Sequence, residues 1–284
     1  MEKHYRFAGV ELTIDIPDDL MYENERNMSV FAAGSVSATH TFCFRVKSEL
    51  DKPVGVLEVA EPNFLIYRNG DNTVKYIGVV QGAWEEAYIR VDSRGREHLV
   101  QVRRSGFRGR IGVHTVLNAL GAEHLIAQAG GLVFHCSYIE RDGKAILFTA
   151  PSETGKSTQA ELWHKYRNAE IINGDRAAIR IENGRILAEG IPFAGSSSYC
   201  QNRSLCIEAI VYLTQASETS IRHIRGYEAF SRIWEGVSVN TWNRKDMERV
   251  SDVVQRTAQT VPVFHLCCTP DESAVIALEQ ALRK

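Results

Sequence analysis

The chemistry in this sequence concentrates in one stretch, Lys144 to Thr158. An apolar run, Ala145-Ile146-Leu147-Phe148, breaks at Ala150-Pro151 and is followed by Gly155-Lys156-Ser157-Thr158. A buried strand, a tight loop and a helix carrying Gly-Lys-Ser form the layout of a phosphate-binding loop of the Walker A kind, GxxxxGK[ST], matched at every specified position except the first, where Ala150 stands. Such a loop turns successive backbone N–H groups and a helix N-terminus toward the phosphates of a nucleotide. Pro151, Ser152, Glu153, Thr154, Gly155, Lys156, Ser157 and Thr158 are therefore the candidate cradle for the phosphates of a nucleotide. Lys156 would neutralise the β- and γ-phosphates, and the Ser157 hydroxyl would help hold Mg²⁺. Glu153 is the discordant member, since a carboxylate inside an anion site repels phosphate unless it points to solvent.

Phosphoryl transfer needs charge neutralisation, in-line positioning and often a carboxylate for the incoming hydroxyl. Asp175 is the candidate for that last role and a second candidate for the metal. It follows a short apolar strand, Glu170 to Asn173, directly after the loop helix, so a parallel arrangement would bring it to the sheet edge that carries Lys156. His135 lies on the strand that hairpins onto the phosphate-loop strand; on the residues alone, a single histidine there reads as a packed core residue. Arg176, Arg203 and Lys165 are candidate phosphate clamps. Arg203 gains from following a loop rich in serine and glycine, Gly190 to Asn202.

The elements around these residues divide the chain near Gly106 to Gly112. Residues 1–110 read as a mostly antiparallel β region, with strands at Tyr5–Ile16, Thr41–Val46, Val54–Val59, Asn63–Tyr67, Val74–Val80, Tyr88–Val91 and Leu99–Val102. Hairpin signals stand at Asn69-Gly70-Asp71-Asn72 and Asp92-Ser93-Arg94-Gly95. Residues 111–284 open with one helix, His114 to Ala129, capped by Gly130-Gly131. A strand, Leu132 to Ile139, turns at Asp142-Gly143 into the strand feeding the phosphate loop, an order unlike a doubly wound sheet, where a helix intervenes. Beyond the loop helix the pattern predicts a hairpin about Asn183-Gly184, strands at Ile207–Leu213 and Val261–Leu266, and helices at Tyr227–Val237, Lys245–Gln259 and Asp271–Leu282.

Composition excludes several classes. With 284 residues, 44% hydrophobic, 24% charged and a net charge of −2, the chain has no electrostatic case for nucleic acid or an anionic membrane. Arg103, Arg104, Arg108 and Arg110 form a local basic cluster that reads as a solvated loop. The six cysteines make no CxxC pair and no zinc spacing, which suggests a reducing compartment. No signal-peptide core and no apolar run of spanning length appear, so a cytoplasmic, soluble protein is expected.

The segments FHCSYIERDGKAILFTAPSETGKSTQAELW, IINGDRAAIR, PFAGSSSYCQNRSLCIEAIVYL and VPVFHLCCTPDESAV together resemble the kinases related to HPr kinase/phosphorylase, whose phosphate-loop domain is similar to that of ATP-dependent phosphoenolpyruvate carboxykinase. The resemblance covers about Gly130 to Lys284. It implies an α/β fold of α+β character, a mixed, twisted sheet with helices, that binds ATP with Mg²⁺. It also implies that His135 stands near the transferred phosphoryl and that Asp175 is the catalytic acid. Family members usually carry glycine at the positions of Ala150 and Glu153, and paired acids where this chain reads Gly174-Asp175. The stretch by which the regulatory members dock HPr is not recognisable, so the expected acceptor is a serine hydroxyl on a peptide, a small protein or free serine. Two alternatives stay open: a non-catalytic nucleotide-binding module that senses ATP or scaffolds a partner, and phosphorolysis or hydrolysis of a phosphoserine. The oligomeric state is also open, a homo-oligomer included.

Overall fold

The computed structural model describes residues 2–17, 20–23, 25–34, 37–79, 82–106, 110–195, 197 and 199–283. It is a mixed α/β structure with large mixed sheets, divided into two compact units, one of residues 1–6 and 10–122 and the other of residues 7–9 and 123–284.

The first unit contains β1 (Glu2–Phe7), β2 (Val10–Asp15), β3 (Met21–Glu23), α1 (Glu25–Ser29), β4 (His40–Lys47), β5 (Val56–Glu61), β6 (Phe64–Asn69), β7 (Asn72–Ile77), β8 (Ile89–Arg94), β9 (Glu97–Arg103), β10 (Arg110–Gly112) and α2 (Val113–Leu120). Among the described residues, eight strands pair in the order β1-β2-β4-β9-β8-β7-β6-β5. The hairpin expected at Asn69-Gly70-Asp71-Asn72 is present, with Asn69 opposite Asn72, whereas the one expected at Asp92-Ser93-Arg94-Gly95 turns later, at Gly95-Arg96, because β8 continues through Arg94, which lies opposite Glu97. The region is not antiparallel throughout, because β2 pairs β4 and β4 pairs β9 in parallel. Each of those pairs is joined by a long connection, which is what parallel pairing requires. The expected single strand Tyr5–Ile16 is two strands, broken where Ala8 and Gly9 take φ of 47° and 75°, a turn of the kind that two successive positive φ angles make. Val80 of the expected strand Val74–Val80, and Arg108 of the basic cluster, lie outside the described residues. Leu50, Leu65, Val74, Tyr76, Val79 and Ala87 form a buried cluster in this unit.

The second unit carries α3 (Ala122–Gln128), β11 (Gly131–His135), β12 (Ser137–Arg141), β13 (Lys144–Thr149), α4 (Lys156–Arg167), β14 (Glu170–Asn173), β15 (Arg176–Glu182), β16 (Arg185–Gly190), β17 (Ser204–Gln215), β18 (Ser220–Ile224), α5 (Gly226–Trp234), β19 (Val237–Ser238), α6 (Arg244–Thr260), β20 (Val263–Cys268) and α7 (Glu272–Leu282). The helix expected over His114–Ala129 is two, α2 and α3, because Gly121 adopts the left-handed conformation at φ 65° and closes the first. The strand expected over Leu132–Ile139 is also two. It breaks at Cys136, so β11 leaves to pair β15 and β19 while β12 hairpins onto β13.

Two sheet sections result, joined along β17. One runs β14-β12-β13-β17-β20-β18, with β13, β17 and β20 parallel. The other runs β19-β11-β15-β16 and meets the first half of β17 antiparallel. The continuous apolar run of β13 follows from cover on both faces. Ile146 and Phe148 pack with Trp163 of α4 and with Val275 and Leu278 of α7, while Ala145 and Leu147 pack with Ile233 of α5 and Val250, Val253 and Val254 of α6. No helix among the described residues is long and apolar enough to cross a membrane.

Trp163 is fully buried at 0% exposure, whereas Tyr227 is 84% exposed. Trp163→Ala should therefore lower unfolding free energy by about 3–5 kcal/mol in denaturant titration, and Tyr227→Ala should change it by less than about 0.5 kcal/mol.

Candidate functional site

The loop begins where β13 ends at the carboxyl edge of its section. Ala150 is buried; Pro151, Ser152 and Glu153 are exposed. Two residues give the loop its shape: Glu153 at φ 64° and Gly155 at φ 114°, both left-handed. Glycine tolerates that region freely, and a side chain there costs about 1–2 kcal/mol. The first bond of the α4 ladder runs from Gln159 N to Gly155 O, 3.0 Å, so the amides from Gly155 to Thr158 precede the ladder and have no acceptor within the helix. Gln215 at the end of β17 donates to the carbonyls of Glu153 and Thr154, both at 3.4 Å.

Lys156 is folded across this loop. It is 8% exposed, and its ammonium donates to Ala150 O at 3.0 Å and Pro151 O at 3.2 Å. Burial pulls its pKa below the ordinary value, with the charge of Asp175 opposing that fall. A cation stripped of water and met mainly by neutral carbonyls favours the approach of an anion.

Asp175 and His135 meet where the chain crosses between the two sheet sections. His135 closes β11 before the crossing at Cys136; Asp175 lies in the crossing from β14 to β15, and Cys136 N donates to Asp175 O at 3.0 Å. His135 Nε2 lies 3.4 Å from Asp175 Oδ1, and Arg176 Nε lies 3.4 Å from Asp175 Oδ2. Hydrogen bonding from His135 is the leading cause that holds the Asp175 carboxyl below its ordinary range, aided by the charges of Arg176, His135 and Lys156 and opposed by burial. Thr149, the last residue of β13, donates its hydroxyl to His135 O at 3.0 Å and so fastens the loop strand to the histidine. Gly195 packs against the carboxylate; a Cβ there would sit 2.8 Å from Asp175 Cγ.

Asn173 organises the crossing, and sequence reasoning missed it. It is fully buried. Its Nδ2 donates to Ile191 O and Phe193 O at 3.1 and 2.9 Å, and its Oδ1 accepts from the amides of Asp175 and Arg176 at 2.9 and 3.0 Å. Every hydrogen-bonding position of the amide is used. The available signal was an asparagine at a strand end before Gly-Asp, the setting of an Asx turn.

Of the expected residues, Ser152, Glu153, Lys156, Ser157, Asp175 and His135 line one cleft of about 450 Å³, together with Ala160, Glu161, Ile171, Gly174, Ser197 and Tyr199. Ser157 Oγ lies 3.5 Å from Gly174 O. Two larger or comparable clefts of this unit, about 460 and 680 Å³, lie around Tyr227 and beneath β18 and contain none of these residues. Arg176 is not on the cleft wall: it turns to Asp175 and, at 4.0 Å, to Glu123, with its guanidinium 5.0 Å over the Phe193 ring. Arg203 is not brought to the site. It pairs with Glu140, whose register partners Ala145 and Glu170 start the strands that end at the cleft. Lys165 sits on the last turn of α4, 4.7 Å over the Tyr166 ring. Ser196 and Ser198 of the serine-rich loop lie outside the described residues. Among the described residues no three His, Cys, Asp or Glu side chains converge to hold a metal; Mg²⁺ bound by one carboxylate, one hydroxyl, water and phosphate oxygens needs no such group.

The fold and cleft define an α/β protein with a Gly-Lys-Ser loop at a strand-to-helix junction facing a His–Asp pair. The family model described as SynChlorMet cassette protein ScmC matches residues 122–271, just over half of the chain, and the chain belongs to that family. No curated protein matches it. Among solved structures, the Hpr(Ser) kinase/phosphatase from Coxiella burnetii is similar at a TM-score of 0.33 and 12% identity, over 53% of this chain and 88% of that one.

Asn173→Ala should strand buried amides and carbonyls and lower stability by about 2–4 kcal/mol, read by denaturant unfolding. Asp175 carries a sign that can be worked out. Its folded pKa lies below the ordinary 3.8, so its carboxylate contributes stability above that value, and the contribution is lost as pH falls through the folded pKa. The stability gap between the wild type and Asp175→Asn should hold steady from neutral pH to about pH 5 and shrink below about pH 4.

Proposed function

We propose that the protein is a Mg-ATP-dependent phosphotransferase acting on a serine hydroxyl of a peptide, a small protein or free serine. The observation that carries this reading is the convergence of a desolvated Lys156 and an ionised, histidine-paired Asp175 on one cleft beside a loop of helix-initiating amides. Loop amides and Lys156 take the phosphate tail. Ser157 and Asp175 would hold Mg²⁺, which would supply neutralisation of the phosphate charge. The acceptor oxygen bonds to the γ-phosphorus as the bridging P–O bond to ADP breaks, and the hydroxyl proton passes to the Asp175–His135 pair. A carboxylate held below its usual range is a weak proton sink, so Asp175 acts mainly by orienting the hydroxyl, a sufficient role where the transition state is loose. Expected acceptors are those named above; the cytoplasm supplies both ATP and such acceptors.

The test is transfer from labelled ATP with Mg²⁺ to a panel of serine, serine peptides and small proteins. Lys156→Ala should lower the rate by about 10²–10³, the cost of removing one charge-stabilising group, with an unchanged circular dichroism spectrum. Asp175→Asn should fall similarly, and a full-rate Asp175→Asn enzyme overturns the role given to Asp175; ATP binding without turnover of any acceptor overturns the kinase reading in favour of a nucleotide-binding module.

A further inference from the structure

One hydroxyl of the cleft wall has no part in the site described so far. The segment that carries it is built against the crossing of Asp175. Asn173 holds its start through Phe193 O, and Gly195, left-handed at φ 55°, packs on the Asp175 carboxylate. Ser197 N then donates to Ala194 O at 2.9 Å, which turns the chain back. The turn lays the Ser197 side chain on Gly174: a Cβ on that glycine would sit 2.3 Å from Ser197 Oγ and 2.7 Å from Ser197 Cβ. Gly174 has no positive φ, so what the glycine supplies here is room for the serine. Ser197 Oγ accepts from Tyr199 N at 3.1 Å, and no acceptor for its proton stands among the described residues. The oxygen therefore keeps a lone pair and its hydrogen for another partner. Lys156, Ser157, Asp175 and His135 line the same cleft of about 450 Å³. Because Ser157 Oγ lies 3.5 Å from Gly174 O, the hydroxyls of Ser157 and Ser197 flank a single glycine, the residue before Asp175.

We infer that Ser197 is an internal phosphoryl acceptor, so that with ATP in the cleft the chain phosphorylates this serine in cis. The inference rests on the kinase reading for ATP and for the transfer step. It stands on separate observations for the acceptor: a hydroxyl fixed by a turn, seated in space that Gly174 leaves bare, in the cleft that holds Lys156 and the Asp175–His135 pair. Ser197 Oγ bonds to the γ-phosphorus as the bridging P–O bond to ADP breaks, and the hydroxyl proton passes to the Asp175–His135 pair. The products are ADP and a phosphoserine. An acceptor carried on the same chain needs no binding step of its own, the advantage of an intramolecular reaction.

Wild type incubated with γ-labelled ATP and Mg²⁺, and no added acceptor, should gain a single phosphoryl group by intact mass, mapped to Ser197 by tandem mass spectrometry. The label should survive acid, as a phosphoserine does and a phosphohistidine at His135 does not. Ser197→Ala should stay unlabelled, and Lys156→Ala should label about 10²–10³ more slowly. Because cleft and serine belong to one chain, the rate constant should hold over about a hundredfold dilution of the protein, and Lys156→Ala chains mixed with wild type should gain no more label than they do alone. Transfer to free serine or a serine peptide by a chain that stays unlabelled overturns the inference and leaves the kinase reading standing. So does label on any other residue, Ser196 and Ser198 included, or label passed from chain to chain. Label at Ser197 with every added acceptor unused supports the inference and removes only the external acceptors. ATP binding with no label on the chain or on any acceptor overturns both readings.

Discussion

Four hydrogen bonds converge on the buried amide of Asn173, and the candidate site depends on them. Two fasten the segment around Ile191 and Phe193; two fasten the amides of Asp175 and Arg176. The segment that supplies Gly195, whose bare Cα lets the backbone approach the Asp175 carboxylate, is therefore tied to the turn that presents the carboxylate. A side-chain amide suits this position because it offers donors on one side and an acceptor on the other in one plane. Aspartate would face two carbonyls with negative charge, and leucine of similar volume would leave the backbone groups without partners.

The loop departs from the common pattern in two places with different physical meanings. Ala150 is buried in the cluster beneath α4, where a methyl group packs and the loop leaves β13 without a left-handed residue. Glu153 is the opposite case: the backbone is left-handed there, the conformation glycine would supply at no steric cost. Its side chain is exposed, so the strain falls on the backbone while the carboxylate remains at the outer rim of the cleft.

Much of the second unit was legible because its signals were local. The apolar run of β13, Asp142-Gly143, Asn183-Gly184 and Gly-Lys-Ser-Thr each specify their own geometry within a few residues. What escaped depended on distant pairing. Leu132 to Ile139 reads as one strand because nothing in its pattern marks Cys136 as the point where the chain passes from one sheet section to the other. The parallel pairs of β4 in the first unit are likewise set by long connections that carry no periodic signal. Arg203 looked attractive beside a serine-rich loop, yet its side chain follows the charge of Glu140 to the far end of the strands. Asn173 was overlooked because its value lies in four backbone partners drawn from two separate segments, which adjacency in sequence cannot display.

The fork at β17 has a mechanical corollary. Along one margin this strand is bonded to β16 through Ser204, Leu205 and Cys206, and farther along to β20 from Ile210 onward, so two sheet sections share a single spine. Lys156 hangs from one section, His135 from the other, and Asp175 from the thread between them. The cleft is consequently assembled only where both sections are folded, and the bonds from Thr149 to His135 O and from Cys136 N to Asp175 O close the fork at its open end.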